Sequence, residues 1–171
     1  MKNEPYDFYF LEPGSIFISD KPHHIHTVVG CSLSVCIWDI DGHAGGMNHF
    51  IYPVCGKKER KAIYGDLSIE HLIRVLMSQG IPINRMRAHI VGGGYLPERK
   101  SSIGNDNAVL AENILKKNGI MVINRDTGEA TGRKIIFHNL TGEIVVYKNV
   151  VVRRTDWYDY GTEEDQGFNR G

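Results

Sequence analysis

The chain has 171 residues, 42% of them hydrophobic, and its 20 Lys and Arg residues balance its 20 Asp and Glu residues. This composition is typical of one soluble globular domain, and the zero net charge argues against a surface that binds nucleic acid. No apolar run approaches the ~20 residues that cross a membrane, and the first residues lack the pattern of a secretory signal. We therefore expect a cytoplasmic protein that does not insert into membranes.

The first third of the chain predicts strands. A proline-glycine pair precedes a short apolar strand over residues 15–19, and a loop over residues 20–26 follows. Residues 27–53 predict a β-hairpin, because two β-rich segments flank the turn residues between 41 and 46.

The remaining chain predicts two helices and several strands. Apolar residues at helical spacing predict helices over about residues 66–79 and 106–118, with a short strand over residues 87–91 between them. Three strands follow over residues 120–152. Residues 153–171 contain few aliphatic side chains, so we expect a loosely held tail.

This order of elements predicts a single α+β domain over residues 1–152, with mixed β-sheets in a sandwich-like arrangement flanked by two helices. The glycine triplet Gly92-Gly93-Gly94 follows a strand but lacks the spacing of a phosphate-binding loop. We expect it to form a turn with positive φ or to pack its backbone closely against another element.

The predicted hairpin contains the candidate catalytic residues. It brings His49 back toward the start of its first strand, where Thr27, Gly30, Cys31 and Ser32 lie. A thiol or hydroxyl beside an imidazole, with a glycine that lets a substrate approach the backbone, is typical of nucleophilic acyl chemistry. The structural alternative is a buried cysteine that packs as a small apolar group and a histidine that only donates and accepts structural hydrogen bonds.

A metal site is the second alternative, because five of the eight histidines fall between residues 23 and 49. The segment His23-His24-Ile25-His26 gives only alternating side-chain directions and brings no carboxylate or thiolate at a fixed spacing. Cys31, Cys36 and Cys55 do not follow the spacing of a zinc ribbon. We therefore expect a solvated, pH-sensitive histidine loop, no bound metal and no cofactor.

Several short motifs together resemble the CheD family of chemoreceptor glutamine deamidases, over about residues 13–150. Two of them are residues 46–53, Gly-Met-Asn-His-Phe-Ile-Tyr-Pro, and residues 27–32, which are similar to the family's Thr-x-x-Gly-Ser-Cys. The opening proline-glycine strand, the glycine triplet, Ile103-Gly104 with Asn107, and the Thr141-Gly142 hairpin also match.

The resemblance implies a fold similar to that of toxin-type cysteine deamidases and a hydrolase that converts receptor glutamine side chains to glutamate with release of ammonia. In the family the cysteine is the nucleophile, the histidine of the later strand is the base, and an upstream threonine completes the site. His49 and Thr27 match these positions, and the backbone near Gly30 would hold the oxyanion. The chain reads Gly30-Cys31-Ser32, however, so that Ser32 stands where the family has its cysteine.

Two nucleophiles and two functions therefore stay open. Ser32 faces the pocket if the strand keeps the family register, whereas a bulge at Gly30 would turn Cys31 toward His49. The first function is chemotactic signal transduction through deamidation of chemoreceptor helices, with a CheC-type phosphatase as a second partner. The alternative is a weakly active or inactive CheD-like protein that docks on receptors or on such a phosphatase.

Overall fold

The structure is a computed structural model that describes residues 7–56, 60–150 and 152–158. The described strands are, in chain order, β1 Asp7–Phe10, β2 Ser15–Ser19, β3 His23–Val29, β4 Leu33–Asp39, β5 Gly45–His49, β6 Met86–Gly92, β7 Met121–Thr127, β8 Gly132–His138 and β9 Ile144–Val150. Two α-helices, α1 Gly65–Ser78 and α2 Ile103–Lys117, and two short 3-10 helices, Ile83–Arg85 and Arg154–Asp156, complete the described elements.

The described strands form two sheets. The first has the order β1-β3-β8-β9, in which β1 runs parallel to β3 and the other pairs are antiparallel. The second has the order β2-β5-β4-β6-β7 and is antiparallel except for the pair of β6 and β7. Helix α2 joins these two parallel strands, as a parallel pair requires a long crossover.

Two apolar cores hold the layers together, and β4 contributes to both. Leu33, Val35 and Ile37 point from β4 into the core that α1 and α2 cover. Cys36 and Trp38 point from the same strand into the core between the two sheets. This alternation follows from the two-residue period of a strand, and it explains why every residue of β4 is buried.

The chain passes from one sheet to the other at residues 30–32. β3 belongs to the four-stranded sheet, whereas β4, three residues later, belongs to the five-stranded sheet. Two backbone hydrogen bonds of 3.0 Å, from Leu33 N to the Phe50 carbonyl and from Phe50 N to the Leu33 carbonyl, join the start of β4 to the end of β5. Ser32 and His49 each directly precede one of these paired residues.

The predicted fold class is confirmed: two mixed sheets lie face to face and two helices flank one of them. Both predicted helices exist, with ends that differ by one to three residues. The predicted loop over residues 20–26 is wrong for its second half, because His23–Val29 pairs with both β1 and β8 as a central strand. The hairpin is also shorter than predicted, since Thr27 belongs to β3 in the other sheet.

The expectation of a loose tail from residue 153 does not hold for its described part. Residues 154–156 form a short 3-10 helix. Asp156 is buried, packs against the turn at Gly30 and accepts a 3.0 Å hydrogen bond from Arg153 N. Residues 159–171, the rest of the predicted tail, and residues 57–59 lie outside the described residues. The boundaries of the domain stay a prediction.

The two neighbouring apolar residues Leu76 and Met77 on α1 test the core on the helix side. Leu76 is fully buried, whereas Met77 is 50% exposed. We expect Leu76→Ala to lower the free energy of unfolding by about 2–5 kcal/mol, because it leaves a cavity. Met77→Ala, the matched control, is expected to change it by less than about 1 kcal/mol. Equal losses in urea denaturation would contradict this position of α1.

Candidate functional site

Thr27, His49 and Ser32 form a continuous buried line of hydrogen bonds between the two sheets. Thr27 Oγ1 lies 2.8 Å from His49 Nδ1, and His49 Nε2 lies 2.7 Å from Ser32 Oγ. Each of the three residues is only 1% exposed. The threonine comes from β3, the histidine from the end of β5 and the serine from the crossing between the sheets, so the line exists only when both sheets are assembled.

The direction of these hydrogen bonds follows from one backbone carbonyl. Thr27 Oγ1 lies 2.8 Å from the carbonyl oxygen of Leu11, which can only accept, so the hydroxyl donates its single hydrogen there. Thr27 must then accept a hydrogen bond from His49 Nδ1–H. In the neutral imidazole this leaves the lone pair on Nε2, which accepts a hydrogen bond from the hydroxyl of Ser32.

Burial keeps the imidazole neutral. Removal of His49 from water lowers its pKa to about 4, and the nearby carboxylate of Asp156 opposes this shift only in part. At neutral pH the ring therefore has one protonated nitrogen and one free lone pair. A neutral imidazole whose lone pair accepts a hydrogen bond from a hydroxyl is the arrangement of a general base beside a nucleophile.

The structure brings Ser32, and not Cys31, to the imidazole. Cys31 lies in the turn between β3 and β4, and its Sγ accepts a 3.0 Å hydrogen bond from the backbone N–H of Tyr158. The bulge that would turn Cys31 toward His49 is therefore not formed. The predicted proximity of His49 to Thr27 and Ser32 is present in the structure.

A glycine triplet packs directly on the turn that carries Ser32. Gly93 N donates to the Ser32 carbonyl at 2.8 Å, and Gly94 N donates to the Gly30 carbonyl at 2.9 Å. Gly92 has a φ of +123°, and a Cβ atom there would lie 2.5 Å from the Ser32 carbonyl oxygen. Both expectations for this triplet, positive φ and a close backbone contact, therefore hold together. The sequence did not predict that the triplet packs against Ser32.

Asn107 is a site residue for which the sequence predicted no role. It is fully buried on α2, and its Nδ2 donates to the carbonyls of Ile51, at 2.8 Å, and Cys31, at 3.2 Å. It thereby connects the turn before Ser32 to the segment after His49. The motif around Ile103 and Gly104 was the only signal for it in the sequence.

One group of acidic and histidine side chains among the described residues lies close enough to share a metal ion: Asp39, Asp41 and His43. The guanidinium of Arg85 already pairs with it, because Nε lies 2.8 Å from Asp39 Oδ1 and 3.0 Å from Asp41 Oδ2. This contact holds the pKa of Asp39 well below its usual range. His24 and His26, from the predicted histidine loop, instead contact the ring of Phe8.

The CheD family model, described as CheD chemotactic sensory transduction, matches residues 54–148. A relative from Anaeromyxobacter dehalogenans is 33% identical over 132 residues, which are 75% of this chain and 77% of the relative. The chain belongs to the CheD family. A second relative, from Trichlorobacter lovleyi, is 34% identical over 142 residues, 81% of this chain and 88% of the relative. Both are named probable chemoreceptor glutamine deamidases, so the predicted family is confirmed and its function class agrees with these names.

The match of the CheD family model does not extend to Thr27, Ser32 and His49, so their roles rest on geometry. A solved structure, of a Neisseria meningitidis protein of the DUF152 family, is 13% identical, with a TM-score of 0.46 over 73% of this chain and 65% of that one. A similarity at this level says nothing about chemistry. Of the helices in the described residues, none is long and apolar enough to span a membrane.

Titration of His49 tests the buried line independently of any activity. We expect its NMR signals to report the Nδ1–H tautomer and a pKa near 4. An exposed histidine in the unfolded chain titrates near 6.5, so between about pH 6.5 and 4 the unfolded state binds a proton that the folded state does not. The free energy of unfolding should therefore fall as the pH drops through this window. A pKa near 6.5 in the folded protein would contradict the burial.

Proposed function

We propose that this CheD protein is a glutamine deamidase in which Ser32 is the nucleophile and His49 the general base. The observation that carries the proposal is the 2.7 Å contact of Ser32 Oγ with His49 Nε2, on the lone pair that Thr27 leaves free. The names of the relatives support a glutamine on a chemoreceptor as the substrate. The complete set of contacts supports catalysis over the binding-only alternative.

The reaction starts when His49 takes the Ser32 proton and Oγ attacks the amide carbon of the glutamine side chain. Backbone N–H groups of the turn from Gly30 to Ser32 hold the negative oxygen of the tetrahedral intermediate. His49 then gives its proton to the amide nitrogen, and ammonia leaves an ester on Ser32. A water molecule, deprotonated by His49, attacks this ester, and glutamate leaves as Ser32 regains its proton.

Thr27 is a positioning residue in this mechanism. Its oxygen accepts the hydrogen bond from His49 Nδ1 and stabilises the protonated ring that forms when Nε2 takes the serine proton. Because its own hydrogen is held by the Leu11 carbonyl, Thr27 cannot offer a hydrogen to Nδ1.

The remaining expectations are proposals of the same kind. The odd count of three cysteines supports a cytoplasmic location, where cysteines stay reduced. The CheC-type phosphatase as a second partner rests on the family resemblance alone. No membrane insertion, nucleic acid or cofactor takes part in the proposed reaction.

Single substitutions at residues 31 and 32 identify the nucleophile. Ser32→Ala should lower kcat/KM for a receptor fragment by at least about a thousandfold, because it removes the attacking atom. Cys31→Ser should change it by less than about tenfold, because this thiol contacts Tyr158 and not His49. Release of ammonia measures the rate. A large loss in Cys31→Ser with none in Ser32→Ala would reverse the assignment.

The double exchange Cys31→Ser with Ser32→Cys restores the family order. A thiol loses its proton far more readily than a hydroxyl, so a thiol opposite His49 should raise the rate by orders of magnitude. The measurement is the mass increase of the receptor fragment as an amide becomes an acid. An unchanged or lower rate in a folded double variant would mean that Ser32 does not occupy the nucleophile position.

The pH profile reports the ionisation of the base. His49 accepts a proton only when neutral, and its pKa is about 4. We therefore expect kcat/KM to rise with pH through about 4 and to show no further step near 6.5. Initial rates on the receptor fragment between pH 3.5 and 8 give this profile, with the intact fold checked by circular dichroism at each pH. A half-maximal rate near pH 6.5 would contradict a buried neutral base.

A further inference from the structure

The described residues after β9 pack against the turn that carries Ser32. Asp156 lies against the turn that carries Ser32: a Cβ atom on Gly30 would lie 2.5 Å from the Asp156 carbonyl oxygen and 3.0 Å from the indole ring of Trp157. The carboxylate of Asp156 also acts on the charge of His49. Residues 156–158 therefore fill the space beside Gly30, where a glycine would otherwise let a substrate approach the backbone.

Three hydrogen bonds hold this segment through its backbone, one of them from Cys31 Sγ to the Tyr158 carbonyl at 3.5 Å. Tyr158 N donates to Cys31 Sγ at 3.0 Å, and Arg99 Nη1 donates to the Trp157 carbonyl at 3.1 Å. Together with the loop after the glycine triplet, these residues line one crevice, which runs along Cys31, Gly94, Tyr95, Leu96, Arg99, Ser101 and Ile103. Trp157 and Tyr158 form one wall of this crevice, and the segment is held there by main-chain hydrogen bonds and by the indole ring on Gly30.

The closed state cannot carry out the proposed reaction on a protein. Ser32 and His49 are each 1% exposed, so a glutamine side chain that stays attached to its own backbone cannot reach Ser32 Oγ. A polypeptide substrate has to lie close to the turn at Gly30, and this space is already occupied by a polypeptide segment. Residues 156–158 and a polypeptide substrate therefore cannot occupy the space at Gly30 at the same time.

We propose that residues 153–158 are an autoinhibitory strap, and that the space they occupy beside Gly30, along the crevice, is the docking site of the glutamine-bearing polypeptide, which displaces them. This inference rests on the proposed deamidase function for the identity of the displacing segment. It gives Cys31 a task other than catalysis: the thiol, shifted by one residue from the family position, anchors the strap next to the nucleophile.

Two strap variants test the proposal. Trp157→Gly removes the ring that covers Gly30, and Tyr158→Pro removes the N–H that donates to Cys31 Sγ. Tyr158→Ala is the matched control for the second variant, since it loses the same ring and keeps the N–H. Tyr147→Ala, at a half-exposed position on β9, controls for the loss of an aromatic side chain elsewhere.

The first readout is the alkylation of Cys31 by iodoacetamide, followed by peptide mass mapping, which needs no enzymatic activity. Cys31 is 4% exposed, and we expect both strap variants to react at least tenfold faster there than the wild-type protein and the two controls. Cys36, which is fully buried between the sheets, should stay unmodified, so that a general loss of structure is recognised. Unchanged alkylation of Cys31 in both variants would overturn the strap.

The second readout is deamidation of a receptor fragment. The strap variants should raise kcat/KM at least fivefold, mainly through a lower KM, because the substrate no longer competes with the strap. Faster alkylation without this gain in an active enzyme would overturn the proposal. Faster alkylation when neither the wild-type protein nor the variants release ammonia would support the strap and contradict the proposed deamidase function, so the two failures are distinguishable.

Discussion

The hydroxyl of Thr27 is the group on which the proposed chemistry depends. The Thr27 hydroxyl donates its only hydrogen to the Leu11 carbonyl, so the Thr27 oxygen must accept a hydrogen bond from His49 Nδ1. The other imidazole nitrogen, Nε2, then accepts a hydrogen bond from Ser32. This order of donors spans the two sheets and is buried throughout. An unpaired polar group at this depth would be costly, so the fold and the protonation state of the site stabilise each other.

The turn between β3 and β4 positions Ser32 at the end of this line of hydrogen bonds. Its backbone is held by the glycine triplet on one side and by Asn107 on the other, and in both cases the contacts end on carbonyl groups of residues 30–32. Such contacts fix the main chain and leave the Ser32 side chain to the imidazole alone. Cys31 of the same turn lines the crevice together with Trp157 and Tyr158, and Gly30 lies against Asp156. The turn therefore contacts both the imidazole and the strap.

The sequence predicted what depends on local pattern and failed where distant segments meet. Alternation along the strand put Ser32 and Cys31 on opposite faces, and the hairpin brought His49 to them, because both signals lie within about twenty residues. The sequence did not reveal that Thr27 belongs to another sheet, since the break at Gly30 has no signature of its own. The contacts of Asn107 and Tyr158 with Cys31 span 76 and 127 residues, and only the assembled fold brings such residues together.

Trapping of the acyl-enzyme intermediate tests whether Ser32 carries the acyl group. The wild-type protein would be mixed with a short glutamine-containing peptide, quenched in acid and mapped by mass spectrometry after proteolysis. We expect the acyl group of the glutamine to be esterified to the Ser32 hydroxyl, at a fraction that vanishes in His49→Ala. An acyl group on the Cys31 thiol instead would contradict it.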